Sequence, residues 1–239
     1  MLTAQMALSR VGTIFMATVS RRSEDFLLDV ALSVLCIVVG YFLGTIPTGY
    51  LVAKLRGVDI QKVGSGNIGA TNVLRALGTL PAIVVVVLDP LKGAVAALIP
   101  TLIGTDTWTI VLSGLAAVLG NNFNVLLRLR GGKGIATSIG VYLVIDPFTA
   151  LLCIVLGVAT ILVSRMVSLG SLVGMFSLPL FVLAGGTFVM PHLFLAVALT
   201  SLAVFRHREN IGRLLAGTER RLGEKRPGPP PPTSSRGSN

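Results

Sequence analysis

The chain reads as an all-α integral membrane protein of about seven transmembrane helices, with its N-terminus outside and its C-terminus in the cytoplasm. Three observations carry that reading. Of its 239 residues 53% are hydrophobic and 13% charged, with a mean hydropathy of +0.84, whereas an ordinary soluble domain is about 25% charged. Several apolar runs reach the roughly 17–25 residues that cross a bilayer as a helix. Finally, the connections between those runs alternate between basic and free of Lys and Arg, the pattern of the positive-inside rule. The net charge of +10 then belongs to residues that flank the membrane and face anionic headgroups. It gives no argument for nucleic-acid binding.

Residues 1–25 hold Arg10, Arg21 and Arg22 among small and apolar residues. Arg10 interrupts the apolar run and no convincing small-residue cleavage site follows, against a signal peptide. This piece is set apart as an N-terminal extension of unassigned role, or as sequence upstream of a start at Met6 or Met16. The membrane domain covers 26–205. Its first span, 26–43, runs into GTIPTGY at 44–50, where Pro47 bends or interrupts the helix because it cannot donate a backbone bond. Residues 51–55 continue to the interface at Lys54 and Arg56, and a polar loop, 57–78, follows.

The second span, 81–103, contains Asp89-Pro90-Leu91-Lys92-Gly93. A charge at the bilayer centre costs at least about 2.5–3.5 kcal/mol, so it needs a partner or an aqueous cavity. Two readings stay open: an Asp89–Lys92 pair beside a proline kink, or a broken helix lining a polar site, with 81–88 as a re-entrant half-helix. The third span is 107–127, the fourth a shorter one at 135–145, and the fifth 147–163. Ser164 to Ser168 turn the chain into a sixth, ending near 184, and the seventh covers 187–205. A basic segment, 206–226, completes the cytoplasmic face. The Pro-rich tail 227–239 cannot bury a core and is expected to be disordered.

Lys54, Arg56, Lys62, Arg75, Arg128, Arg130, Lys133, Arg165 and the basic segment all follow odd-numbered spans, while the connections after spans two, four and six hold no Lys or Arg. That assignment orients the chain, with Arg10, Arg21 and Arg22 running against it. It also puts every glycine-rich polar motif on one face. Cys36 and Cys153 lie inside apolar runs and read as small lipid- or core-facing residues without a disulfide. No zinc-type spacing occurs, and neither metal nor cofactor is expected.

Three constellations carry chemistry. In GSGNIGATNVLR at 64–75, Gly64, Gly66 and Gly69 let backbone N–H groups converge on an anion. Ser65, Asn67 and Asn72 add short polar groups there, and Arg75 adds a fork suited to phosphate. A helix over 70–77 would aim its N-terminus at the same anion; the plain alternative is a flexible loop between spans. In GGKGIATS at 131–138, Gly131, Gly132 and Gly134 permit close backbone approach, Lys133 supplies a mobile charge and a helix follows. It is no Walker A loop, lacking a preceding strand and a hydroxyl after the lysine; a basic interfacial cap is the alternative.

In RHRENIGRLLAGTE at 206–219, a helix would place Arg206, Asn210 and Arg213 on one face with His207 at its edge. An amphipathic lipid-surface helix reads equally from that pattern. His207 beside Asn210 could orient a hydroxyl or take its proton, whereas His192, beside Pro191, reads as structural. The set suits a phosphorylated ligand and contains no clear nucleophile. Chemistry there would rest on positioning and charge stabilisation.

These motifs, with GTIPTGY, DPLKG and SRMVS in the same order, closely resemble the bacterial acyl-phosphate:glycerol-3-phosphate acyltransferases, the PlsY family, over about residues 27–225. The resemblance implies a seven-helix membrane fold in the bacterial plasma membrane, active on its cytoplasmic face, and the first acylation of phospholipid synthesis. Acyl phosphate would be donor and glycerol 3-phosphate acceptor, with membrane lipid and the enzymes supplying acyl phosphate as partners. By position it places Ser65, Arg75, Lys133, His207 and Asn210 among the substrate-binding and catalytic residues. The expected product is 1-acyl-glycerol 3-phosphate, formed by direct attack of the 1-hydroxyl, with His207 or the substrate's own phosphate taking the proton. The chain departs at Asn121 and Asn124, where the family usually has His and Pro. Asparagine cannot carry a proton at neutral pH, so a catalytically weak paralogue is one alternative. A transporter of phosphorylated molecules is the other, but such a protein would place its groups near the midplane and show repeat symmetry, and no repeat is evident.

Overall fold

The computed structural model describes residues 25–185 and 189–224; the extension before Asp25, the start of the seventh span at Thr187 and the tail after Glu224 lie outside them. Helix α1 covers 25–44. It stops at the glycine–proline break as expected, and α2 (Thr48–Lys54) resumes beyond Pro47. A turn at Ile60–Lys62 leads into α3 (Ala70–Leu77), the helix predicted after the first glycine loop. Gly78, at a φ of 86° that side chains disfavour, turns the chain sharply into α4 (Thr79–Leu102).

Helix α4 corrects one expectation. It is continuous through Pro90, so 81–88 is no separate half-helix, and the ion-pair reading holds, with Lys92 Nζ 2.8 Å from Asp89 Oδ1. A proline removes one backbone bond. The charges beside it find partners on neighbouring elements, so nothing requires the helix to unwind.

Asp106 caps α5 (Thr107–Asn122) through the N–H groups of Trp108 and Thr109. Next comes α6 (Ile135–Ile145), started by Gly134 at φ 80°. Asp146 and Pro147 then begin α7 (Pro147–Ser164), and α8 (Val167–Ala184) and α9 (Met190–Arg206) follow. The last element is α10 (Arg208–Leu215).

Each of the seven predicted segments contains a helix among the described residues, but these helices are not equivalent. Among the described residues, five helices are long and apolar enough to cross a membrane, counting α1 with α2. The sixth candidate is α9 joined to α10 across a 65° bend. At eleven residues, α6 is only about 16 Å long, half of a hydrocarbon core. The bend corrects a second expectation: the helix breaks at His207, so Arg206 and Asn210 do not share one straight helical face.

Close backbone approach holds α6 inside the bundle. A Cβ at Gly93 of α4 would collide with the Thr137 carbonyl, and one at Gly140 with the Pro90 carbonyl. Around this contact, Val111, Val118, Val141, Tyr142, Leu195 and Leu199 form the buried core. Tyr142, buried among them, donates to the backbone carbonyl of His192 at 2.7 Å. Cys36 and Cys153 are buried and free.

Candidate active site

The first glycine loop is stiffened by its own polar groups. Asn72, 2% exposed, donates from Nδ2 to the carbonyls of Ile60, Val63 and Asn67 and accepts from the Ser65 N–H. The Asn67 N–H reaches Ser65 Oγ, the Gly69 N–H reaches Asn67 Oδ1, and the Gly66 N–H reaches the Val63 carbonyl. Four N–H groups expected to face an anion are therefore spent within the loop. The loop offers exposed Ser65 and half-buried Asn67, with Gly64 and Gly66 at positive φ setting the turn. Asn72 acts as its internal strut.

The second loop lies against the end of α5. The Gly132 N–H donates to the Asn121 carbonyl at 2.9 Å. From the other side, Arg206 donates through Nε to the Gly132 carbonyl and through Nη2 to that of Gly131, at 3.0 and 2.9 Å. Spacing alone could not reveal this clamp, because its partners are more than seventy residues apart. With its backbone held, half-buried Lys133 reaches Asn210 Oδ1 through Nζ.

Asn210, 7% exposed, connects the second loop to the third. Its Nδ2 donates to Glu219 Oε1 at 2.6 Å, an oxygen that also accepts from Ser168 Oγ at 2.8 Å, while Arg213 Nε donates to Glu219 Oε2 at 2.8 Å. Glu219 is therefore the anionic hub of the site, ringed by cations, and spacing alone points to neither it nor Ser168. Both stand in sequence motifs, SRMVS and the Gly217-Thr218-Glu219 end of the third constellation. Arg75, exposed on α3, lies within electrostatic reach of Arg220, Glu219, Glu224 and Arg213.

The electrostatics follow from this crowding. Burial pulls the Lys133 ammonium down to about 8, with Glu219 opposing the shift and Arg213 and Arg206 adding to it. Burial raises the Glu219 carboxyl, but hydrogen bonds from Ser168, Asn210 and Arg213 outweigh it and leave a carboxylate. His207, 3% exposed at the bend, is pushed down to about 4 by burial and then by Lys133. Its Nδ1 lies 2.8 Å from the Ala203 carbonyl. That oxygen can only accept, so Nδ1 carries the proton of the neutral ring.

Beside this cationic face an apolar cavity of about 110 Å³ opens between α6, α7 and α8. Ile135 and Gly170 line its end nearest Lys133 and Ser168, and Tyr142, Ala150 and Leu178 its far end. The site thus sets a cationic surface near an apolar slot.

Comparison with known proteins places this arrangement. The family model described as glycerol-3-phosphate acyltransferase matches residues 34–217. The chain is 49% identical over 190 residues to the glycerol-3-phosphate acyltransferase of Thermus thermophilus, covering 79% of this chain and 94% of that one. It is 46% identical over 201 residues to glycerol-3-phosphate acyltransferase 1 of Deinococcus radiodurans, covering 81% and 97%. The fold matches the crystal structure of PlsY (YgiH), an integral membrane glycerol 3-phosphate acyltransferase, in its glycerol 3-phosphate form. There the TM-score is 0.77 at 42% identity, covering 80% of this chain and 96% of that one. The lysophosphatidic acid form of PlsY gives a TM-score of 0.75 at the same identity.

Proposed function

The chain belongs to the glycerol-3-phosphate acyltransferase family, and on that premise we propose that it acylates the 1-hydroxyl of glycerol 3-phosphate from acyl phosphate. The products would be 1-acyl-glycerol 3-phosphate and phosphate, the entry to phospholipid synthesis. The observation that carries this reading is half-buried Lys133, with Arg206 and Arg213 in its electrostatic surroundings and only two residues before Ile135, which lines the apolar slot. Two phosphorylated substrates, one with a fatty chain, need that combination. We place the active site on the cytoplasmic face of the bacterial plasma membrane, with seven helical segments forming the membrane domain and the basic segment after Phe205 completing the site. Enzymes that supply acyl phosphate would dock on that face.

In the proposed step the 1-hydroxyl oxygen attacks the acyl carbonyl carbon, and the bond from that carbon to the phosphate oxygen breaks. Arg75, Lys133 and Arg213 hold phosphate groups, the glycines of both loops bring backbone close to them, and Ser65, Asn67 and Asn210 orient donor and acceptor. A base with a pKa near 4 is poorly matched to neutral pH, which argues for His207 as an orienter. A phosphate oxygen, with a second pKa of about 6, is the better acceptor, and the leaving group departs as hydrogen phosphate. Asn121 lies behind the second loop, where its amide accepts from Lys92. That neutral role favours an active enzyme over a weak paralogue.

Purified protein in lipid, given palmitoyl phosphate with and without glycerol 3-phosphate, tests this reading. The expected result is phosphate release that depends on the acceptor and matches lysophosphatidic acid mole for mole. Binding of acyl phosphate without turnover would replace it with the weak-paralogue reading.

A further inference from the structure

Lys92 is 5% exposed and uses all three of its donor directions. Its Nζ reaches Asp89 Oδ1 and Asn121 Oδ1, each at 2.8 Å, and the Ile46 carbonyl at 3.1 Å. Asp89 Oδ1 also accepts from Thr48 Oγ1. With no donor to spare, Lys92 is no ligand for substrate. It is a buried knot, and its strands lead to both phosphate-facing loops.

One strand runs through Asn121. That residue is 4% exposed, and its carbonyl receives the Gly132 N–H. The second loop lies so close on α5 that a Cβ at Gly131 would strike the Asn121 carbonyl, and one at Gly132 would come within 2.9 Å of Asn121 Nδ2. Any shift of Asn121 is therefore passed to Gly132 and its neighbour Lys133. The other strand runs through Ile46 and Thr48, at the break before α2. Gly49 of α2 packs against the Ile68 carbonyl, with no room for a Cβ, so α2 carries the loop of Ser65 and Asn67. An exposed bond from Gln61 Nε2 to the Arg130 carbonyl also joins the loops, but it lies at the surface, where water competes.

We propose that the buried Asp89–Lys92–Asn121 knot is a positioning device that sets the distance between the Ser65 loop and Lys133 without touching substrate. The geometry suits this task. An ion pair buried with its hydrogen bonds satisfied is a weak source of stability but a directional one. Substrate bridging two loops is sensitive to their separation, and a misplacement of about 1 Å can cost about 100-fold in rate. The inference rests on the functional reading above, because it concerns how that site grips glycerol 3-phosphate.

The test is a pair of double-mutant cycles read as affinity for glycerol 3-phosphate, by calorimetry on protein in lipid nanodiscs. Asn121→Leu removes the acceptor for Lys92, and Thr48→Val is an isosteric change that frees α2 from Asp89 and keeps the test open if the first variant unfolds. Each is measured alone and on Lys133→Ala. A device acting through Lys133 gives coupled losses: about tenfold weaker binding alone, and less than about twofold on Lys133→Ala. Equal losses in both backgrounds, or no loss in folded single variants, overturn the proposal. Wild-type acyl transfer measured alongside separates the two failures. A wild type that neither binds nor transfers removes the functional reading and this inference with it; an active wild type with additive variants removes this inference alone.

Discussion

Lys133 holds its proton with a pKa of about 8, because burial disfavours its charge. A bound phosphate would favour the charged form and raise that value, so binding takes up a proton. If Lys133 holds the phosphate, affinity for glycerol 3-phosphate should be full well below pH 8 and decline as pH rises through that point. The substrate phosphate stays dianionic over the same range, so the decline belongs to the protein. KM for glycerol 3-phosphate measured from pH 7 to 9.5 should climb on the alkaline side, and a flat profile would count against Lys133 as the phosphate ligand. Lys133→Ala should lower kcat/KM by about 100-fold or more, and Arg75→Ala should also fall well below wild type. A variant of either kind with wild-type activity would sink the site assignment. At this scale sequence gave the residue types but not their partners. Ser65, Lys133 and Asn210 stand out by chemistry and spacing, while Asn72 turned inward to three carbonyls and Arg206 clamped on two glycines depend on contacts the chain makes only when folded.

The elements most readable from sequence are those bounded by local punctuation. Gly69 and Gly78 flank α3, Asp106 caps α5, and Asp146 with Pro147 starts α7. Each signal acts within a few residues, so spacing conveys it. The unbroken α4 and the bend at His207 are decided by tertiary partners, Thr48 and Asn121 in one case and the packed loops in the other. Packing also explains why so short a helix as α6 is buried, since its glycine contacts with α4 replace length with proximity. The cavity between α6, α7 and α8 makes a prediction at the same scale. Cys153 lines it partway along, so Cys153→Leu should fill the slot and shift preference toward shorter chains. Values of kcat/KM for a series from decanoyl to stearoyl phosphate would show this as a loss of several-fold confined to the long donors. An equal loss across the series would mean that the acyl chain lies elsewhere.

Across the whole molecule, charge and geometry bear on one question, which side of the membrane the site faces. Lys133, Arg75, Arg206 and Arg213 gather with the third constellation at one end of the bundle, and basic loops are retained on the cytoplasmic side. The connection from Leu102 to Thr107, at the other end of α4, contains no Lys or Arg. Both native cysteines are buried, which leaves a quiet background for labelling. Single cysteines at Leu55, 87% exposed, and at exposed Thr107 report the two ends. A membrane-impermeant maleimide should modify Leu55→Cys in inverted vesicles and spare it in intact spheroplasts, with the reverse for Thr107→Cys. The opposite pattern would put Lys133 outside. Glycerol 3-phosphate and acyl phosphate made inside the cell could not then reach it, and the proposed reaction would fail on access alone, however well the residues fit.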